Sequence, residues 1–174
     1  IKSVKNALIV TTDKVYKNLN QKKYFREEDE LGGYDPYSNS KACAELICKS
    51  YSDSFLSTNR ISCVTVRAGN VIGGGDFAMN RIIPDFFRAL RNKKKLVLRY
   101  PNAIRPWQHV IEPLTGYLKL AEKLCSKKGQ KFAGPWNFGP SSLQNMKVID
   151  LAKLIKNTMK SKSKIKVKKK DKRF

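Results

Sequence analysis

The sequence predicts an α/β fold. Three observations carry this: short apolar runs that read as strands covered on both faces, apolar residues at helical spacing between them, and glycine or proline where one pattern gives way to the other. The run Asn6-Ala7-Leu8-Ile9-Val10-Thr11-Thr12 is continuously apolar from Ala7 to Val10 and turns polar at its end, as expected of a buried strand. Thr12, Asp13 and Lys14 would then emerge at its carboxyl end, where open α/β sheets place their ligands.

Residues 17–36 are polar, with Gly32-Gly33 and Asp35-Pro36 marking turns. Pro36 is a start signal for a helix over 38–55, in which Ala42, Leu46, Ile47, Tyr51 and Phe55 recur at helical spacing. A second strand is predicted over 61–67. It leads into Ala68-Gly69-Asn70-Val71-Ile72-Gly73-Gly74-Gly75, which lacks both the Gly-x-Gly-x-x-Gly spacing and the Lys-Ser/Thr of the phosphate loops. It reads instead as a tight turn approaching a ligand closely. Ile83, Phe86, Phe87 and Leu90 mark a helix over 84–90. Strands are expected over 96–98 and 107–111, then a helix over 113–124 with Leu114, Leu118, Ala121 and Leu124 inward. The segment 134–140, Gly-Pro-Trp-Asn-Phe-Gly-Pro, reads as turns, 146–159 as an amphipathic helix, and 165–168 as an edge strand.

The chain has 174 residues, enough for one domain of ordinary size. It opens Ile1-Lys2-Ser3 with no initiator Met, as a fragment would, and shows neither a signal peptide nor an apolar run of membrane-spanning length. Its net charge of +22 raises nucleic acid as a partner class. Nine Lys or Arg against one acid fall in residues 157–174, however, and the rest are scattered without the aromatic interleaving of a single-strand binder. Lysine outnumbers arginine three to one, a bias that fits genome-wide composition. Neither nucleic acid nor a membrane is therefore the expected partner. The four cysteines, Cys43, Cys48, Cys63 and Cys125, lack metal-ligand spacing, and His109 is the sole histidine, so no metal site is predicted. Three of the four cysteines read as buried thiols and His109 as structural, and the expected compartment is the reducing cytoplasm.

Tyr37 and Lys41 are four apart on a predicted helix and share one face. An ammonium there can stabilise a phenolate, which can take a proton from a substrate hydroxyl near neutral pH. Spacing alone is weak, since seven tyrosines in a lysine-rich chain give about one such pair by chance. The surrounding strings decide the reading. Thr12-Asp13-Lys14, the stretch from Gly32 to Lys41, Arg67-Ala68-Gly69-Asn70-Val71, Arg105-Pro106-Trp107 and Trp136-Asn137-Phe138-Gly139 occur in one order over about residues 7–155. Together they resemble the nucleotide-sugar 4,6-dehydratases of the extended short-chain dehydrogenase/reductase superfamily. Lys14 resembles the branch acting on CDP-glucose, the dTDP-glucose branch carrying glutamate there.

The resemblance implies a Rossmann-like NAD-binding fold, of which only the second half is present, and a smaller mixed α/β substrate-binding domain. The implied division is 1–70 and 71–174, with 104–126 packing back on the first. It further implies NAD as cofactor, CDP-glucose as substrate, a homodimer or higher oligomer, and a hydro-lyase reaction that oxidises, dehydrates and reduces the sugar. Tyr37 would be the base, with Lys41 assisting and contacting the cofactor, and Thr12 would hydrogen-bond the reacting oxygen. Asp13 would serve as the acid, and Lys14 as base or enolate stabiliser. Ala68, Asn70 and Val71 would line the cofactor; Asn70, Arg81, Arg99, Arg105 and Asn137 would hold the nucleotide sugar. The family's glycine-rich loop is missing from this sequence, so the chain alone is expected to bind NAD poorly. The alternatives are another nucleotide-sugar dehydratase, epimerase or decarboxylase of the same fold, an inactive fragment, and a basic nucleic-acid-binding scaffold.

Overall fold

A computed structural model of the chain describes residues 3–18, 24–140 and 145–168. Part of the polar 17–36 segment (19–23) and the end of the lysine-rich tail (169–174) lie outside these residues. The chain divides into two units. One comprises 1–69 and 110–139, the other 70–109 and 140–174.

The first unit is built on a parallel sheet of β1 (Asn6–Val10), β2 (Ser62–Ala68) and β6 (Gly134–Phe138), with β2 in the middle. Period-two alternation gives β2 two faces. Val64 and Val66 point to one and join Leu120 and Leu124 of α3 (Ile111–Leu124), with Leu8, Tyr117, Phe132, Trp136 and Phe138 around them. Thr65 and Arg67 point to the other, toward α1 (Pro36–Tyr51), through hydrogen bonds to Glu45. The result is helix on sheet on helix, the three-layer arrangement of α/β folds. A smaller cluster of Val15, Tyr16 and Ala42, with Phe25 and Leu31, closes the start of α1.

Three sequence expectations change here. The segment 134–140 was expected as turns, yet 134–138 is strand β6. Asn137 directs its N–H away from β2, onto Glu27, so Pro135, in the same alternation, also turns its missing N–H outward, where a sheet tolerates proline. The helical spacing over 38–55 marks a helix, and of its apolar residues only Ala42 is buried. Ser38, Ala42 and Glu45 are buried, while Leu46, Ile47, Tyr51 and Phe55 are exposed, Phe55 in the π-helical turn Ser52–Leu56 that follows. On α3, likewise, Pro113, Leu120 and Leu124 are buried and Leu114 and Leu118 are exposed. Of the four cysteines only Cys63 is buried; Cys48 is half-buried, and Cys43 and Cys125 are exposed. Cys43 follows the outward turn of α1, and Cys125 caps the end of α3.

The second unit holds two small sheets. β3 (Asn70–Ile72) pairs in parallel with β5 (Ile104–His109), which pairs antiparallel with β7 (Asn145–Lys147); β4 (Leu96–Leu98) pairs in parallel with β8 (Ile165–Val167). β3 was not expected, because its three residues lie inside the glycine-rich string. The core consists of Phe86 and Ala89 from α2 (Ile82–Arg91), Leu96 and Leu98 from β4, and Ala152 from α4 (Val148–Thr158). Among the described residues no helix is long and apolar enough to cross a membrane, and no cluster of three or more His, Cys, Asp or Glu could hold a metal ion.

Candidate active site

Two segments of the first unit bring the predicted catalytic residues to the carboxyl end of its sheet. One is the end of β1. Thr12 is buried and caps a 3-10 turn, Asp13–Val15, its Oγ1 accepting from the Lys14 N–H at 3.4 Å. Its hydroxyl also donates to Asp13 Oδ1 at 3.2 Å. Val15, with no exposed surface, anchors the turn, so Asp13 and Lys14 are held at the rim with side chains 33% and 45% exposed. Their charged groups meet at 3.3 Å.

The second segment is the start of α1. Asp35 caps the helix, accepting from the N–H groups of Tyr37 (3.0 Å) and Ser38 (3.2 Å) and from the Ser38 hydroxyl, and Pro36 occupies the first turn. The Ser38 hydroxyl bond, followed by the two N–H groups, holds the Asp35 carboxyl below the usual carboxylate range. A Cβ on Gly33 would lie 2.3 Å from the Asn39 nitrogen, so only glycine lets the chain pass this close to the helix start. Tyr37 is 55% exposed and Lys41, one turn on, is half-buried.

Sequence reasoning missed the polar cluster beneath these segments. Glu45 and Arg67 are each 4% exposed or less. Glu45 accepts from Arg67 Nε (2.9 Å) and Nη2 (2.8 Å), from the Thr65 hydroxyl (2.6 Å) and from the Thr11 hydroxyl (2.5 Å). Arg67 Nη1 donates to the Tyr16 hydroxyl (2.8 Å) and to the Glu27 carbonyl (3.1 Å), and Tyr16 donates to Asn137 Oδ1 (2.6 Å). Burial pushes the Glu45 carboxyl up, but the bonds from Arg67, Thr11 and Thr65 and the Arg67 charge outweigh it and hold the group below its ordinary value. Burial likewise works against the Arg67 charge, and Glu45 more than restores it. For Tyr16 burial dominates and raises the phenol, with Arg67 and Asn137 opposing. The partners are separated by tens of residues, so no spacing rule could have found the cluster.

The predicted ligand-binding residues are divided between the units. Ala68 ends β2 in the first. Asn137, also in the first, commits its side chain internally, with Oδ1 to Tyr16 and Nδ2 to the Phe25 carbonyl at 3.2 Å. Asn70, Val71, Arg81, Arg99 and Arg105 belong to the second. Arg81 pairs with Asp76 at 3.1 Å, Arg99 donates to the Asn80 carbonyl at 3.0 Å, and Arg105 donates to the Ile104 carbonyl at 2.9 Å. Arg99 lines an open groove of about 370 Å³ with Arg88, Lys94, Lys95 and Lys168; Arg81 and Arg105 do not line it.

Asn70 Oδ1 is buried with no partner among the described residues. Such an atom is costly unless something hydrogen-bonds to it, and a bound ribose or sugar hydroxyl would supply the donor. In the first unit, taken by itself, the exposed Tyr37 side chain and the Lys41 amine one helical turn on fit the nicotinamide-ribose side of a dinucleotide. The Gly-x-Gly-x-x-Gly spacing that would cradle its pyrophosphate does not occur in the sequence.

A fold of this kind with Thr-Asp-Lys at a strand end and Tyr-x-x-x-Lys on the next helix defines a class, and comparison with known proteins gives it a name. Residues 1–133 match the NAD dependent epimerase/dehydratase family, and the chain belongs to that family. Among curated relatives, the CDP-glucose 4,6-dehydratase of Salmonella typhimurium is 46% identical over 143 residues, 79% of this chain and 40% of that protein. The dTDP-D-glucose 4,6-dehydratase of Bos taurus is 28% identical over 156 residues, 89% of this chain and 41% of that protein. The chain thus spans about two fifths of the length of the curated relatives it matches. Solved structures show the same fold. A UDP-N-acetylglucosamine 4-epimerase from Methanobrevibacter ruminantium superposes with TM-score 0.78 at 22% identity, covering 97% of this chain and 51% of that one. A dTDP-glucose 4,6-dehydratase from Bacillus anthracis in complex with NAD gives 0.73 at 23%, covering 94% and 49%.

Proposed function

We propose that the protein carrying this chain dehydrates CDP-D-glucose to CDP-4-dehydro-6-deoxy-D-glucose in the cytoplasm, as a homodimer or higher oligomer. The observation that supports the reading is the packing of the Asp13–Val15 turn, which Thr12 caps, against the helix that carries Tyr37 and Lys41, with that turn at the end of β1 in a parallel sheet. The choice of CDP-glucose is supported by Lys14 and by the 46% identity to the Salmonella enzyme. The exposed Leu46, Ile47, Tyr51 and Phe55 support self-association through the outer face of α1 and the turn after it.

NAD, held through the Tyr37 hydroxyl and the Lys41 amine, would supply the acceptor for the C4 hydride and the hydride donor for the closing reduction. Tyr37 takes the proton from the sugar O4, and Lys41 stabilises the phenolate that does so. Thr12 donates a hydrogen bond to the same oxygen. The 4-ketone acidifies the C5 proton, which Lys14 removes or whose enolate it stabilises. Asp13 protonates the departing O6. Arg81, Arg99 and Arg105 are the cations for the diphosphate, because guanidinium groups grip phosphate oxygens in pairs.

The test incubates the full-length natural polypeptide with NAD and, separately, CDP-, dTDP-, UDP- and GDP-glucose, with mass spectrometry of the nucleotide sugars. Loss of one water from CDP-glucose alone is expected, and Tyr37→Phe lowers its rate by about 100-fold or more. Loss from a different nucleotide keeps the chemistry and overturns the substrate. No water loss from any of them defeats the dehydratase reading.

A further inference from the structure

We propose that Glu45 is a positioning residue: its buried carboxylate locks the helix bearing Tyr37 and Lys41 to the strand end bearing Thr12, and so sets the geometry of the reaction. This rests on the functional reading above and goes beyond it, since Glu45 touches no reacting atom.

The argument begins with the helix period. Positions 37, 41 and 45 follow one another along one side of α1, each a little over one turn from the last. Glu45 is the innermost of the three and the only one buried. Its first oxygen accepts from Thr11, the residue before Thr12, and its second from Thr65 on β2. Arg67 spans both oxygens and reaches on to Tyr16, which follows the Asp13–Val15 turn. One carboxylate therefore ties together the two catalytic segments and the middle strand beneath them. The helix bears large apolar residues on its outward face, whereas Ser38, Ala42 and Glu45 face the sheet. Ser38 and Ala42 are small, and neither fixes how the helix lies along the strands. Directional hydrogen bonds to a planar carboxylate do so, with distances that leave little play. Catalysis depends steeply on such placement, a shift of about 1 Å costing about 100-fold in rate.

Two variants of the full-length polypeptide test this. Thr11→Val keeps the shape of the residue and every charge pair, and removes only the hydroxyl at the end of β1, with its short bond to Glu45 and its long one, 3.4 Å, to the Val66 carbonyl. Glu45→Leu with Arg67→Met removes the whole clamp without leaving an unpaired buried charge. The readouts are kcat and KM for CDP-glucose, the thermal midpoint, and amide exchange over residues 11–16 and 36–48. With the clamp acting as proposed, Thr11→Val lowers kcat about tenfold and the double variant about 100-fold. KM stays within about threefold, amides of both segments exchange faster, and the double variant keeps its low kcat even where its thermal midpoint matches the parent. A structural role alone predicts that kcat recovers with the midpoint; that result, or kcat within about twofold of the parent in Thr11→Val, overturns the proposal. If the parent does not turn over, the functional reading fails, and exchange alone decides the clamp. Faster exchange in both segments of Thr11→Val at an equal midpoint upholds it, and unchanged exchange defeats it.

Discussion

Replacing Arg67 by Met should be among the most damaging single changes in the first unit, and the reason can be worked through from its partners. Glu45 is 4% exposed and receives four hydrogen bonds, two of them from the Arg67 guanidinium at 2.9 and 2.8 Å. The substitution leaves Thr11 and Thr65 in place but removes the positive charge and both charge-assisted bonds. Each such bond contributes about 1.5–3 kcal/mol, and removing one partner of a buried ion pair costs about 3–5 kcal/mol. The two figures overlap, so about 3–5 kcal/mol is expected, a large share of the roughly 5–15 kcal/mol that holds a domain together. Urea unfolding of the chain follows it through Trp136, which lies beside β2, in a background where Trp107 is Phe. The thermal midpoint should fall by roughly 6–20 °C.

The effect also has a pH signature. In the parent the Glu45 carboxyl is held below its unfolded value. Its contribution is then complete above an unfolded pKa of about 4.3 and is lost as pH falls through the lower folded value. In Arg67→Met burial is left without its main opponent, and a carboxylate is disfavoured there near neutral pH. The gap between parent and variant should therefore be widest near neutral pH and narrow as pH falls below about 4.3. A loss under about 1 kcal/mol near neutral pH, or a gap independent of pH, would refute the view that Arg67 offsets a buried charge.

Two other expectations follow from close contacts. Alanine in place of glycine usually stabilises a helix by about 1 kcal/mol, but a Cβ on Gly116 would lie 2.3 Å from Phe138 Cε1. Gly116→Ala should thus destabilise, by about 1–3 kcal/mol in urea titration; a raised midpoint would show that α3 can move off β6 freely. Asp35→Ala should lower the thermal midpoint by uncapping α1, with the difference shrinking in acid. The parent's carboxyl is held below its ordinary range, so its contribution is complete above about pH 3.9 and lost below it. Circular dichroism against temperature at several pH values reads both, and equal midpoints at neutral pH would count against the cap.

What the sequence disclosed of all this follows from which signals are local. The strands β1, β2 and β4 were legible because continuous apolar runs have few other readings. So was the start of α1, where Asp35 and Pro36 act on the nearest amides. β6 was hidden by its own composition, since glycine and proline signal turns unless the strand's outer side is known. The buried face of α1 was not legible for a related reason: apolar periodicity identifies a helix, but the inward side here carries serine, alanine and glutamate, and the large side chains stay outside. The candidate site's titratable residues were proposed from matched strings, whereas the clamp joining Thr11, Glu45 and Arg67 is a purely tertiary arrangement.

The outward N–H of β6 has a consequence for how copies of this sheet can associate. Proline at 135 interrupts the donor row on that margin, and Asn137 spends its amide groups on Glu27 and Phe25. Among the described strands β6 pairs only with β2, so its other margin, closed by proline and by the Glu27 and Phe25 contacts, offers no unbroken row of amides on which a further strand could build.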